Sequence, residues 1–361
     1  MADDTNATGA RGPSEFARAE QSADLTPYLK RLLGGATLST DETTAAFEAM
    51  MTGQTTHGEI GALLALLATR VPTSDEILGA ARVMRMHVDR LETSLDPSDI
   101  VDTAGTGGAP KTFNVSTAAA IVAAGAGAKV AKHGNKSRTG RGSAELLRQL
   151  GINVDADRAT QVKCLEDAGV CFCFAIHHHP ATKHVMPVRL ALGVPTIFNL
   201  LGPLTNPALA RRQVMGVYGR QFVEPIAHAL AELGAIHAMV VHSDDGLDEL
   251  TTTAPNTIAH VRDGAVTMER LDATDIGLAR VPYEDVVARD LDHAVQIVRD
   301  VVNGTDQGAF RDMTLLTTAA TLVVAGIADT LAGGVEAARK SIDSGAAQAT
   351  LETWGEEAKS D

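Results

Sequence analysis

The sequence has few aromatic residues and fewer basic than acidic side chains. Aromatic residues make up 3% of the 361, and the apolar content is mostly Ala, Leu and Val, which favours close-packed helices over an aromatic-cored β-sandwich. The chain carries 31 basic and 45 acidic residues, a net charge of −14. Proteins that bind nucleic acid usually need a basic surface to displace counterions, so this balance argues against such a partner. Hydrophobic residues still make up 45%, as in a globular protein of one large or two unequal domains.

The chain also has few cysteines. Cys171 and Cys173 alternate with phenylalanines in segment 170–176, which predicts a buried strand, and Cys164 precedes it. A metal or redox site is the alternative, helped slightly by the histidines at 177–179. Small core residues on a strand are the favoured interpretation. Reduced thiols are typical of a cytoplasmic protein.

Long apolar runs are absent as well. No run approaches the ~20 residues that a membrane span requires, so we expect no membrane partner. Residues 1–24 are polar and contain no hydrophobic segment typical of a signal peptide. We expect a disordered leader over 1–24 and a frayed tail over 355–361.

Residues 25–96 predict a small all-helical domain. Thr26 precedes Pro27, which is favoured in the first turn of a helix, and glycines at 34–35 end that helix. Three capping boxes follow: Ser39 with Glu42, Thr56 with Glu59, and Thr73 with Glu76.

Residues 97–354 predict a larger α/β domain. Strand-like and helical stretches alternate there, which indicates a mainly parallel central sheet. The predicted strands are 100–103, 170–176, 214–218 and 236–241, and the predicted helices include 223–233, 314–325 and 335–344. The expected fold class is therefore α/β with a small helical domain.

A glycine turn and a polar cluster follow the first predicted strand. The glycines within 105–108 let backbone N–H groups approach an anion without interference from a Cβ atom. Asn114, Ser116 and Thr117 then precede an Ala-rich helix whose free N–H groups attract phosphate. Many strand–turn–helix junctions carry glycine, but the turn, cluster and helix together favour phosphate binding.

A second informative segment, 132–144, is basic. Lys132, Lys136, Arg138 and Arg141 are interleaved with glycines and hydroxyl residues. Solvated basic loops are common. In an acidic protein, however, such a concentration of cations favours a loop that folds over a polyanionic phosphate.

Two adjacent acids, Asp248 and Glu249, follow the predicted strand 236–241. Adjacent acids are usually exposed loop charges. Because α/β sheets bind ligands at the carboxyl ends of their strands, Mg²⁺ ligands are an equally good interpretation. Both interpretations stay open at this point.

The segment after the predicted strand 170–176 carries histidines and an arginine. The histidines at 177–179 suggest zinc, but their spacing matches no standard zinc pattern. Arg189 follows apolar helix positions and is a candidate to bind a substrate carboxylate.

Six motifs taken together resemble the anthranilate phosphoribosyltransferase family, in family order. They are Gly-Thr-Gly-Gly at 105–108, Asn-Val-Ser-Thr at 114–117, Lys-His-Gly-Asn at 132–135, His-Pro-Ala at 179–181, Phe-Asn-Leu-Leu-Gly-Pro-Leu-Thr-Asn-Pro at 198–207 and Gly-Leu-Asp-Glu at 246–249. Pyrimidine nucleoside phosphorylases share the implied fold and a glycine turn. The motifs at 132–135 and 198–207 speak against them.

The resemblance implies a Mg²⁺-dependent, homodimeric enzyme of tryptophan biosynthesis. It would transfer the 5-phosphoribosyl group of phosphoribosyl pyrophosphate (PRPP) to the amine of anthranilate. PRPP would bind between the α/β domain and the helical domain, which a segment near 185–207 would complete.

The resemblance also implies site residues. Anthranilate would meet Gly105, Asn135, His179 and Arg189, with Asn135 and Arg189 positioning it, and Mg²⁺ would meet Ser116, Asp248 and Glu249. The residues at PRPP-binding family positions are Gly105, Gly108, Ala109, Thr112, Asn114, Val115, Ser116, Thr117, Lys132, His133, Gly134, Asn135, Lys136, Ser137, Arg138, Thr139, Gly140 and Ser143.

The chain departs from the family pattern at several positions. Uncharged residues at 109–110 follow the glycine turn where Asp is usual, and the turn and the basic loop are both shorter. Lys136 replaces the usual Arg, while Leu190 and Pro195 stand where the family often has Arg. Lys111 is a candidate to compensate in the shortened turn.

Three alternatives remain beside this interpretation. The first is a pyrimidine nucleoside phosphorylase-like enzyme, and the second is a related transferase that uses another arylamine. The third is a non-catalytic paralogue that binds nucleic acid, which the net charge of −14 disfavours.

Overall fold

A computed structural model describes residues 23–137 and 140–359. It begins with four helices, α1 (Thr26–Leu33), α2 (Thr40–Met51), α3 (His57–Ala68) and α4 (Ser74–Met86). Helices α2, α3 and α4 each open with the expected capping box, in which the cap hydroxyl and the Glu three residues later bond each other's backbone N–H. These predictions are confirmed. Most of the expected leader lies outside the described residues.

Seven strands form one sheet in the order β3-β2-β1-β4-β5-β6-β7. They are β1 (Ile100–Asp102), β2 (Lys129–Gly134), β3 (Val170–Phe174), β4 (Arg212–Gly216), β5 (His237–Ser243), β6 (Asn256–Arg262) and β7 (Ala265–Leu271). Strands β1 to β5 pair in parallel, whereas β6 and β7 add an antiparallel hairpin at one edge. The expected fold, a helical unit with a larger α/β unit around a mostly parallel sheet, is confirmed.

The remaining helices cover the sheet. They are α5 (Val115–Gly125), α6 (Ser143–Leu150), α7 (Arg158–Lys163), α8 (Ala175–His178), α9 (Met186–Leu192), α10 (Ile197–Leu201), α11 (Val223–Glu232), α12 (Leu291–Val302), α13 (Ala309–Ala325), α14 (Leu331–Asp343) and α15 (Ala346–Glu357). A π-helical turn, Cys164–Ala168, continues α7. Short 3₁₀ helices span Pro180–His184, Gly202–Leu204, Arg220–Phe222, Ala273–Ile276 and Tyr283–Val286.

Alternate residues of the central strands face two separate apolar cores, as the pleat of a strand requires. Val214 and Met239 belong to the core that includes α5 and α12 to α15. Met215 and Val240 belong to the core shared by the N-terminal helices and α11. The segment that contains α9 and α10 packs into this second core, where α9 contacts α3 and α10 contacts α4.

The structure corrects the expected C-terminal tail and confirms the expected core cysteines. Helix α15 continues to Glu357 because Trp354, 1% exposed, anchors it in the core, so the expected tail over 355–361 is wrong up to that residue. Cys171 and Cys173 lie buried on β3 with unpaired thiols, which confirms them as core residues.

Among the described residues no single helix is long and apolar enough to cross a membrane, although the bent pair Met186–Leu192 and Ile197–Leu204 together has the length and composition of one.

The carboxylate of Glu76 joins three parts of the helical unit. It accepts the N–H groups of Leu38 and Thr73, both at 2.9 Å, and a bidentate pair of bonds from the guanidinium of Arg70 at 2.6 and 2.7 Å. Burial alone would raise the pKa of Glu76, but the bonds from Arg70, Leu38 and Thr73 outweigh it and hold the pKa below its usual value.

Replacing this carboxylate should destabilise the helical unit. We expect Glu76→Gln to lower the free energy of unfolding by about 3 kcal/mol, because it leaves Arg70 without its charged partner in a buried pair. Circular dichroism in urea at pH 7 measures this change. Stability from a depressed pKa is present above the ordinary value of 4.5 and is lost as the pH falls through the folded value, so the difference should shrink below pH 4.5.

Glu42→Gln is the matched control, since Glu42 closes the same kind of capping box while its side chain, paired with Arg31, is 32% exposed and that of Glu76 is 0% exposed. It should cost far less. Equal losses in the two variants would contradict the structural role assigned to Glu76.

Candidate active site

The candidate site lies at the carboxyl ends of the parallel strands. The glycine turn follows β1, the basic loop follows β2, and the acids Asp248 and Glu249 follow β5. Ligands of open α/β sheets bind at this edge. Hydrogen bonds bring these three segments together.

The glycine turn is fastened to the end of β4. The N–H of Thr106 donates to the carbonyl of Gly216 at 2.8 Å, and Thr106 Oγ1 accepts from the N–H of Tyr218 at 3.0 Å. A Cβ atom on Gly216 would lie 1.6 Å from the carbonyl oxygen of Asp248, so only glycine allows the acidic segment to approach this closely. Gly108, with φ +98°, completes the turn.

The phosphate-binding cluster at the start of α5 has a left-handed residue at its entrance. Asn114 has φ +66° and ψ +43°, and its side chain makes no cap bond to the helix. It donates instead to the carbonyl of Arg141 in the basic loop at 3.3 Å. The N–H group of Thr117 donates to the carbonyl of Asn114 at 2.9 Å. The N–H groups of Val115 and Ser116 have no acceptor among the described residues, as an anion site requires.

A buried carboxylate and a buried ammonium lie beneath the turn. Asp102 Oδ1 accepts the N–H groups of Ala104 and His133, both at 3.0 Å. Burial raises the pKa of Asp102 to about 6 and lowers that of Lys132 to about 8. The attraction between the two opposite charges offsets part of each shift. Lys132 Nζ lies 3.1 Å from Ser116 Oγ, so it joins the basic segment to the phosphate-binding cluster.

The two carboxylates after β5 are adjacent in the chain and half-buried. Burial raises the pKa of Glu249 to about 8, and the neighbouring Asp248 adds to the rise. Thr112 Oγ1 donates to Glu249 Oε2 at 2.7 Å, and Lys132 stabilises the negative charge. Like charges held together in this way attract a cation.

Two histidines form a neutral pair beside the site. Burial, with a smaller effect of neighbouring histidines, lowers the pKa of His133 well below its usual value and that of His179 to about 4. His133 Nδ1 lies 2.9 Å from the carbonyl of Gly202, so Nδ1 carries the proton and Nε2 accepts. His179 Nε2, 3.2 Å from His133 Nε2, is therefore the donor.

The basic loop is held to the glycine turn by Lys111. Its Nζ lies 2.5 Å from Ser137 Oγ and 3.2 Å from the carbonyl of Arg141. Asn135 and Lys136 are exposed at the start of the loop. The predicted residues Arg138 and Thr139 lie outside the described residues.

Arg189 is a half-buried residue of α9, and its neighbour Val188 belongs to the core shared with the N-terminal helices. Its guanidinium carbon is 5.1 Å from the centre of the Phe198 ring, and burial lowers its pKa. The hydrogen bonds of the described residues do not link Arg189 directly to the phosphate-binding segments. A contact between Arg189 and a substrate would therefore come from the helical side of the site.

The structure separates the three histidines that suggested zinc. His177 lies 2.8 Å from Asp155, His178 bonds Asp89 and Gln161, and only His179 reaches the site. Within 23–137 and 140–359, no group of three or more His, Cys, Asp or Glu side chains is arranged to hold a metal ion.

Sequence reasoning missed two residues that the structure places at the site. Asp102 lies at the end of a predicted strand, and an acidic residue next to apolar strand residues is a signal that could have identified it as part of the site. Tyr283 gave none, because it arrives from a distant segment to place its hydroxyl 3.5 Å from the carbonyl of Lys111.

Comparisons with known proteins agree with this architecture. Residues 26–88 match the helical bundle domain of a glycosyl transferase family, and residues 97–348 match the a/b domain of the same family. Anthranilate phosphoribosyltransferase of Parvibaculum lavamentivorans is 45% identical over 329 residues, which cover 91% of this chain and 96% of that protein. The enzyme of Rubrobacter xylanophilus is 45% identical over 328 residues, with 90% and 95% covered.

Solved structures give the same result. Anthranilate phosphoribosyltransferase from Thermus thermophilus superposes with a TM-score of 0.86 at 36% identity, covering 92% of this chain and 99% of that one. The Saccharomyces cerevisiae enzyme in complex with PRPP and Mg superposes with a TM-score of 0.82 at 28% identity, covering 92% and 97%. The chain therefore belongs to the anthranilate phosphoribosyltransferases of this glycosyl transferase family.

Proposed function

We propose that this protein transfers the 5-phosphoribosyl group of PRPP to the amine of anthranilate, releasing pyrophosphate, in tryptophan biosynthesis. The observation that carries the proposal is the convergence of a glycine turn, a helix start and a basic loop beside two coupled carboxylates. Anthranilate phosphoribosyltransferases of other organisms match nearly the whole chain. Structures of the yeast enzyme have been solved with PRPP and with 4-fluoroanthranilate.

We propose that PRPP lies against the glycine turn and the start of α5. The N–H groups of Gly105 and Gly108 in the turn, and of Val115 and Ser116 at the start of α5, offer backbone donors to phosphate. Lys132, bonded to Ser116, supplies a buried positive charge below them. The exposed Asn135 and Lys136 are available to close over the ligand from the basic loop.

The residues at the carboxyl end of β5 fit a magnesium ion. Asp248, Glu249 and Ser116 offer the hard oxygen ligands that Mg²⁺ prefers. Burial raises the pKa of both carboxyl groups, and the charge of Asp248 adds to the rise for Glu249. Protein side chains alone supply few ligands here, as is usual where phosphates complete the coordination. When bound, Mg²⁺ would neutralise charge on the pyrophosphate.

The reaction requires positioning rather than a strong base. An aromatic amine is largely unprotonated at neutral pH, so its nitrogen can attack the anomeric carbon as the bond to pyrophosphate breaks. Lys132 and the backbone donors of the turn stabilise the charge that develops on the leaving group. We propose that Arg189 binds the anthranilate carboxylate and that Asn135 and His179 orient the ring.

Two further features of the proposal rest on the resemblance. A homodimer is expected. A cytoplasmic location is expected from the pathway. Light scattering after gel filtration would measure the assembly state.

The loss of anthranilate fluorescence tests the function. We expect it to require protein, PRPP and Mg²⁺ together, with each component omitted in turn as a control. Phosphorolysis of thymidine or uridine without anthranilate consumption would favour the phosphorylase alternative. Salt-dependent DNA binding by an inactive protein would favour the non-catalytic one.

Removing the two carboxylates should weaken the use of magnesium. We expect Asp248→Asn with Glu249→Gln to lower kcat/KM about 100-fold or more, because charge on the leaving group is then poorly stabilised. A titration of rate against Mg²⁺ concentration should show a higher half-saturating concentration. The Asp41→Asn, Glu42→Gln double variant, another adjacent Asp–Glu pair, is the control on α2. A double variant at 248 and 249 with normal activity would remove the metal assignment.

Truncating Arg189 should affect anthranilate more than PRPP. We expect Arg189→Ala to raise the KM for anthranilate about 10-fold or more, because a charged hydrogen-bond donor to its carboxylate is lost. Initial rates with each substrate varied in turn measure both KM values. Arg148→Ala is the matched control, since Arg148 also lies over a phenylalanine, Phe174, at 5.7 Å. A larger effect on the KM for PRPP would reject the assigned role.

A further inference from the structure

We propose that Lys111 binds the pyrophosphate group of PRPP directly and that its contacts with the basic loop hold the ammonium ready for this in the free enzyme. The inference rests on the proposed function. It assigns a phosphate-binding role to a side chain of the shortened turn itself.

The position of Lys111 places its charge between the two phosphate-binding segments. The residue comes three positions after Gly108, and its Nζ donates to Ser137 Oγ at 2.5 Å and to the carbonyl of Arg141 at 3.2 Å. Both acceptors belong to the basic loop. The ammonium is therefore located where the turn and the loop face each other.

The backbone at Lys111 is held by residues outside the basic loop. The hydroxyl of Tyr283 donates to the carbonyl of Lys111 at 3.5 Å. The next residue, Thr112, bonds Glu249 through its hydroxyl and Ala288 N–H through its carbonyl. The backbone is ordered by these bonds and the side chain by those of its ammonium to Ser137 and Arg141, so little further ordering is needed when a ligand binds.

The ammonium has no bonded carboxylate among the described residues. Its two acceptors are neutral oxygens, and an ammonium has three N–H donors. Glu145 and Asp248 act on it only through space, while Arg141 repels it. The residues between Gly108 and Lys111 are Ala109 and Pro110, so the turn itself offers no competing acid.

A cation at this place meets a chemical need of the reaction. As the bond from the anomeric carbon to pyrophosphate breaks, its electron pair stays on the leaving oxygen, while the new bond forms to the amine nitrogen and the amine proton is released. Exchange of the neutral oxygens of Ser137 and Arg141 for phosphate oxygens would give Lys111 hydrogen bonds in which the acceptor is charged as well as the donor.

Cysteine substitution with chemical restoration of the charge tests the proposal. We expect Lys111→Cys to raise the KM for PRPP about 10-fold or more, with little change in the KM for anthranilate. Alkylation with 2-bromoethylamine restores an ammonium at nearly the original length and should return the KM for PRPP to near the unmodified value. Iodoacetamide, which leaves a neutral amide, should not. The native cysteines are buried, which favours selective labelling.

Controls separate this inference from the proposed function. Lys340→Cys, an exposed lysine on α14, should show no change under either reagent, and Lys111→Gln should reproduce the cysteine variant if the latter folds poorly. An active Lys111→Cys enzyme with an unchanged KM for PRPP, or equal recovery with both reagents, overturns the role of Lys111 alone. A wild-type protein that consumes no anthranilate would overturn the proposed function, and this inference with it.

Discussion

The site depends on one buried carboxylate, Asp102. By accepting the N–H groups of Ala104 and His133 through a single oxygen, it joins the beginning of the glycine turn to the end of β2. The two segments that we propose bind phosphate therefore leave neighbouring parallel strands side by side. Burial raises the pKa of Asp102 to about 6, and its second oxygen has no hydrogen-bond partner among the described residues. Such a costly arrangement is understandable where Lys132, also buried, needs a negative partner.

The same edge of the sheet fixes the acidic segment and the helical unit. Gly216 at the end of β4 lets the backbone of Asp248 pass where any Cβ atom would collide. The opposite face of β4 and β5 packs against the core that holds α9 and α10, and so places Arg189 over Phe198. The phosphate-binding elements and the proposed carboxylate-binding arginine are thus positioned by one sheet through two different cores.

Local signals in the sequence predicted the elements that local interactions form. The capping boxes of α2 to α4, the glycine turn and the buried strand β3 all depend on residues close together in the chain. The β6–β7 hairpin was missed although Asp263 and Gly264, both with positive φ, form the kind of turn that joins two strands. Tyr283 was out of reach for another reason, since its contact with Lys111 depends on how the α/β unit folds back on itself.

The adjacent acids show what the structure adds to a motif. From the sequence, Asp248 and Glu249 were equally compatible with solvated loop charges and with metal ligands. A solvated carboxylate keeps a pKa near 4, whereas burial and Asp248 raise that of Glu249 to about 8. Acids perturbed in this way cluster at functional sites, and Lys132 offsets only part of the rise in the pKa of Glu249. This electrostatic cost, rather than the motif itself, favours a magnesium-binding role over a solvated loop.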